Sequence, residues 1–186
     1  MNLKRIRIFT PPLGVVAVLL LAACGGRTTA EPEAPIQPLF AGTGGHSRAV
    51  ATTSAEAQRY FDQGLAFLFA FNHDEAIRSF RRATELDPDC AMAWWGIAYA
   101  NGPHINNPVV PEAREAEAYD AAQRAVRLAA SLDDGADRAL IGAVTTRYAS
   151  SPPADRMALD AAFAAAMGEV RARFPNDGDV GALYAE

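Results

Sequence analysis

Two cysteines, three histidines and a few paired acids are the side chains of this chain with the most chemical potential, and their spacing limits what they can do. Cys90 falls where one helical stretch hands over to the next, a place that suits a small apolar residue, with a redox or metal role as the alternative. Cys90-Ala91-Met92-Ala93 lacks the second cysteine and the histidine of a haem attachment site. His46, His73 and His104 are separated by 27 and 31 positions, which is no metal-ligand spacing. Asp74/Glu75 and Asp133/Asp134 stand where helices begin, so they read as dipole partners rather than as a general acid and base. There is no glycine-rich phosphate loop, and a Ser/His/Asp triad is defined by geometry that spacing does not supply. Neither a catalytic residue, a metal nor a cofactor is expected.

Cys24 is different because of what precedes it. Lys4, Arg5 and Arg7 form a basic start, Leu13 to Ala23 form an apolar run too short to span a bilayer, and small residues come directly before the cysteine. Leu21-Ala22-Ala23-Cys24 resembles the lipobox of bacterial lipoproteins. That resemblance implies a signal peptide over 1–23, cleavage before Cys24, and diacylglyceryl and palmitate-type acylation of Cys24, with two or three chains giving stable anchoring. An uncleaved anchor and cleavage by the general signal peptidase are the alternatives. Gly25 rather than Asp after the cysteine points by the same resemblance to the outer membrane, facing the periplasm. Cys90 is then the one free thiol, and no internal disulfide forms. Residues 24–52, rich in Gly, Pro, Ala and Thr and without an apolar period, read as a flexible tether in which His46 is a solvated residue.

The elements that position the remaining residues begin after the tether. Half of the chain is apolar, with alanine the most frequent residue and none of the β-branched clusters expected of a sheet, so the fold class is all-α. The formal charge is −5, and −8 once the three cations of 1–23 are gone, which disfavours a nucleic-acid partner. Thr53 with Glu56 fits a capping box for a first helix running to about Phe71, and Asn72-His73 makes a turn. With Ala57 as position 1, Tyr60, Gly64, Phe67, Ala76, Phe80, Ala83 and Pro88 fall at positions 4, 8, 11, 20, 24, 27 and 32. The small residues let two helices approach, the aromatics fill the space around that contact, and the proline stops the second helix. This window resembles the tetratricopeptide repeat (TPR), a helix–turn–helix unit of 34 residues. Gln63, at position 7 where Leu is usual, departs from it.

A second unit opens at Ala91 with Trp94 at position 4 and Ala98 at position 8, and is then interrupted by 101-NGPHINNP-108. Helical pattern resumes near Pro111, and position 20 arrives at Ala118, eight residues late. The insertion, with His104, Asn106 and Asn107, reads either as a longer connection or as a binding loop. A fainter third pair follows: Asp134 to Tyr148, a turn at 150-SSPP-153, then Ala154 to Phe174. Val180, Leu183 and Tyr184 begin a further apolar pattern with nothing yet to cover it, as in a domain (53–186) that continues beyond Glu186.

The run YFDQGL, FNHDEAIRSF and LDPDCAMAWWGIA resembles a group of bacterial exported TPR proteins, closely over 53–130 and loosely beyond. It implies an α-α superhelix that binds a partner and carries no catalytic residues. In that repeat the first helix of each unit lines a groove, which here would be made by Phe61, Leu65, Leu68, Met92, Trp95 and Tyr99. Co-chaperone repeats that clamp a C-terminal carboxylate use Lys and Asn where this chain has Phe61, Leu65 and Gly96. The expectation is therefore a membrane-anchored scaffold that binds an apolar protein or peptide segment in the cell envelope. The alternative is the N-terminal part of an envelope enzyme or cofactor-binding protein.

Overall fold

A computed structural model describes residues 37–106 and 108–186. Cys24, the expected signal segment, residues 25–36 of the expected tether and Asn107 lie outside these residues. The described chain is all-α: α1 (Ala55–Phe69), α2 (His73–Leu86), α3 (Ala91–Asn101), α4 (Glu112–Leu128), α5 (Ala136–Thr145), α6 (Met157–Arg173) and α7 (Gly178–Ala185), with a 3-10 turn at Ala129–Ser131. Each helix packs on the next, and the first members of successive pairs, α1 with α3 and α3 with α5, also touch.

The cap of α1 is Ser54, whose hydroxyl accepts from the Ala57 amide at 3.1 Å, one residue later than expected. Thr53 is displaced from that role because its neighbour Thr52 is tied to Asp87, which fixes the approach of the chain. At the other end Asn72 N–H donates to Phe67 and Phe71 N–H to Leu68, the paired bonds of a Schellman ending. The left-handed position of that motif, usually glycine, is filled by Phe71 with φ 58°, a backbone conformation costing an L residue about 1–2 kcal/mol. Asn72 then caps α2.

Phe80 of α2 is fully buried between two helices that have no side chain where it sits. A Cβ added at Gly64 of α1 would lie 2.5 Å from its ring, and one at Gly96 of α3 would lie 2.6 Å from it. Both glycines therefore hold the ring by close approach. Gly64 is the expected small position of the first unit, and Gly96 repeats its function from the second.

Residues 37–52 are not a free tether. Tyr60 donates its hydroxyl to the Gln37 carbonyl at 2.7 Å, and Gln58 donates to the Arg48 carbonyl at 2.8 Å. Gln63 accepts from the Phe40 amide and donates to Pro38 and to Ser79 of α2, all within 3.0 Å. The departure from Leu at this position thus has a physical reason, since one buried amide ties this strap to two helices. Arg48 then bonds Asp137 at the start of α5 and Asp177 and Asp179 at the start of α7, and His46 meets Asp179 at 2.8 Å. Burial works against the Arg48 charge, but Asp137 and Asp177 outweigh it and raise its pKa. Burial likewise opposes ionisation of Asp177, yet the Val180 amide and Arg48 hold it below the usual carboxylate value.

The groove expected from the repeat register is closed. Phe61, Leu65, Leu68, Met92, Trp95 and Tyr99 are each at most 4 % exposed. Tyr99 donates to the Leu183 carbonyl of α7 at 3.3 Å, and Leu68 shares a surface with Ala182 and Ala185 of the same helix. Val180 and Leu183, expected as the start of an uncovered pattern, are buried here, whereas Tyr184 is half exposed. Among the expected packing residues Tyr60, Ala76, Phe80 and Ala83 are buried. Phe67 and Trp94 pack at the edge of the core, where Trp94 donates its indole N–H to the Pro88 carbonyl. α2 stops at Leu86, two residues before Pro88.

Candidate functional site

The inserted loop between α3 and α4 begins where α3 is locked at its end. Asn101 donates to the Ile97 carbonyl and to Glu117, and accepts from Arg114 at 3.1 Å. At Gly102 the loop passes against the segment that follows α5, so closely that a Cβ there would lie 2.5 Å from the Tyr148 hydroxyl. Tyr148, buried, donates to the Ala98 carbonyl at 2.6 Å. The loop is thereby held over the ends of α6 and α7, and a cleft of about 460 Å³ opens between them.

Tyr99 and Met167 form part of the cleft wall, joined by Phe163, Leu183 and the loop residues Pro103 and Ile105. Tyr99 and Phe163 meet edge to face at 6.0 Å. Arg147 lies across both rings, 4.4 Å from the Phe163 centroid and 5.5 Å from that of Tyr99. Its Nη2 donates to the Pro103 carbonyl, and its Nε is buried without a hydrogen-bond partner. Glu186 sits at the mouth, where it accepts from the Tyr99 hydroxyl at 3.2 Å. Burial, and after it the Glu186 charge, push the Tyr99 hydroxyl well above its ordinary pKa, so it is a donor throughout the physiological range.

Behind the loop, His104 stacks on His73 with centroids 3.8 Å apart and planes 9° from parallel. His73, expected as a turn residue, is the first residue of α2 and is buried. Its Nδ1 faces the Phe71 carbonyl at 3.2 Å, so that nitrogen carries the proton. Burial lowers the pKa of both imidazoles below 6.5, and for His104 the charge His73 would carry adds to it. Both rings therefore favour the neutral form. Ring lone pairs lie in the ring planes, and two nearly parallel planes do not converge on one ion at the ~2.1 Å a metal–imidazole bond needs. No group of three or more His, Cys, Asp or Glu side chains able to hold a metal occurs among the described residues. Cys90 is fully buried, and burial pushes its thiol up to about 11, which leaves it un-ionised packing in the core.

Of the residues singled out in sequence, the fold brings Tyr99 and His104 to the cleft, and His73 beside His104; the other expected groove residues form the core beneath. Arg147, Phe163, Met167 and Leu183 were not singled out as site residues. Phe163, Met167 and Leu183 carried only a helical packing signal, and Arg147 carried none. Around the mouth Ile105 is 78 % exposed and Phe71 and Tyr184 are each 50 % exposed. Ile105 links them, since it borders both the cleft with Tyr184 and a neighbouring hollow with Phe71 and Ala182. No described helix is long and apolar enough to cross a membrane. No family model matches the chain, and neither a curated protein nor a solved structure matches it.

Proposed function

We propose that the chain is a lipid-anchored, TPR-like scaffold of the bacterial cell envelope that binds a protein or peptide partner at the apolar rim formed by Phe71, Ile105 and Tyr184. The observation that carries this reading is Phe71: a half-exposed aromatic in a left-handed backbone position where glycine would be easier. Strain of this kind persists where the surroundings enforce it and clusters at functional positions. Together with Ile105 and Tyr184 it makes an apolar patch beside polar neighbours, the pattern of a protein-binding surface. The repeat-like spacing of residues 57–90 and the stacking of α1, α3 and α5 support a scaffold, and the Leu21–Cys24 motif supports the anchor. The partner surface moves from the buried face of α1 and α3 to this rim.

Photo-crosslinkers placed in the native host at Ile105 and at Tyr184 are expected to give a discrete protein adduct, and one at the exposed Arg127 of α4 none. Equal labelling from all three positions, or no adduct from the rim, contradicts the reading. Cys24→Ala is expected to abolish incorporation of an alkyne-palmitate label and to release the protein from the membrane fraction. Retention of the label in that variant rules out the anchor at Cys24.

A further inference from the structure

We propose that the cleft between Pro103, His104, Ile105 and Pro108 of the inserted loop, α6 and α7 is a receptor site for a small apolar molecule carrying a carboxylate, with Arg147 as the residue that pairs with that carboxylate. The proposal is separate from the partner reading, because it concerns the interior of the cleft and not its rim.

Arg147 is the observation from which it starts. A guanidinium is always charged, and placing one in an apolar setting is costly unless an anion accompanies it. Arg156, nine residues on, has Glu115 and Asp160 as partners. Arg147 has no carboxylate partner among the described residues; it has a backbone carbonyl and two aromatic faces, and its buried Nε, like that of Arg156, bonds nothing. A second orphan lies in the same wall, since His104 Nδ1 is also buried without a partner. An Arg147 head without an anion and an unpaired His104 nitrogen in the lining of one cleft indicate a polar group that the protein itself does not supply.

The rest of the cleft narrows the chemistry. Its apolar walls, from Pro103, Ile105, Phe163, Met167 and Leu183, suit a hydrocarbon or aryl body, and about 460 Å³ is in the size range of small-molecule sites. One unpaired cation, with Asp160 and Glu186 nearby on the lining, fits a singly charged head and disfavours a dianionic phosphate. The Tyr99 hydroxyl already donates to a carboxylate there, that of Glu186, so the mouth accommodates the group. An incoming carboxylate would take the same hydroxyl and pair with Arg147 in a charge-assisted contact, with Glu186 swinging outward.

The test uses the full chain in a non-ionic detergent, with 3-phenylpropionate as the probe and 3-phenylpropanamide as its neutral isostere, both followed by calorimetry. The acid is expected to bind about tenfold or more tightly than the amide, a preference of the size one charge-assisted contact supplies. Arg147→Gln is expected to erase that preference. Because Arg147 also holds the loop through Pro103, a second variant, Ala164→Trp, fills the cleft from an exposed lining position and is expected to abolish binding of the acid while the helical signal is kept. Equal binding of acid and amide, no binding of the acid up to about 5 mM, or undiminished binding in Ala164→Trp each overturns the proposal. A failure here leaves the crosslinks from Ile105 and Tyr184 unaffected, so the two readings fall separately.

Discussion

The two ends of the described chain are held together in different ways. From α1 to α3 the contacts are made by shape: Phe80 is clasped by Gly64 and Gly96, and α3 is buried along ten of its eleven residues. From α5 to α7 charge adds to the apolar contacts: α5 buries Leu140, Ile141, Ala143 and Val144, and α7 buries Val180 and Leu183, but the helix between them is lightly packed. α6 buries only Met167 and Val170 of its seventeen residues, while Arg48 draws the starts of α5 and α7 to the strap and Arg147 lies across Phe163. Close packing leaves no room for a ligand. Looser packing leaves a cleft, and the inserted loop lies over it.

The largest expected effect is on the packed side. Phe80→Ala is expected to cost roughly 3–5 kcal/mol in denaturant unfolding, as for large buried aromatics generally. Gly64→Ala sharpens the test: in the Phe80 background the added Cβ overpacks and costs about 1–3 kcal/mol, whereas in Phe80→Ala it is expected to cost nothing or to stabilise, through better helix propensity. Additive effects in that cycle would mean the glycines are not there for the ring.

Next comes the charged side. Arg48→Met strands Asp137, Asp177 and Asp179 close together and is expected to cost about 3 kcal/mol at pH 7. The sign of its pH dependence follows from Asp177, whose pKa is depressed by the contact. The stabilisation is present above the ordinary carboxylate value and disappears as pH falls through the folded value, so wild type and variant are expected to begin converging below about pH 4 and to meet once the pH is below the folded value. A gap that persists there would assign the loss to packing.

The smallest effect concerns the histidine stack. His73 and His104 have folded pKa values below 6.5, so as pH falls through that value the unfolded chain takes up protons that the folded chain does not. Stability is expected to fall from pH 7 downward with a slope of up to about 1.4 kcal/mol per pH unit for each histidine. His104→Gln is expected to flatten that slope. An unchanged slope would show that the stack does not govern it.

The packed half is also the half that was legible in the amino-acid sequence. Small and aromatic residues at fixed offsets from Ala57 indicate which side chains meet, because helical periodicity is local; Tyr60, Gly64, Ala76, Phe80 and Ala83 are buried, whereas Phe67 lies at the edge of the core and Pro88 is exposed. Asn101 to Pro111 shows its interruption for the same reason, as proline and glycine act on their own backbone. What could not be read this way were encounters between distant positions. His73 and His104 stack across 31 residues, Arg48 reaches Asp177 across 129, and the register that places Phe61 and Trp95 on a groove does not reveal that α7 comes back to cover it. Residues 37–52 looked like a tether because glycine, proline and polar residues carry no apolar period, yet they are fixed by hydrogen bonds from Tyr60, Gln58 and Gln63, which composition does not register.

Native-state hydrogen exchange on the full chain, read peptide by peptide, tests the contrast between the two halves most directly. Amides of α1, α2 and α3 are expected to exchange last and together, as one cooperative unit around Phe80, while those of α6 and α7 open earlier and independently. If α6 and α7 are protected as long as α3, the halves are one equally rigid body, and the division between a packed core and an adaptable binding side is wrong.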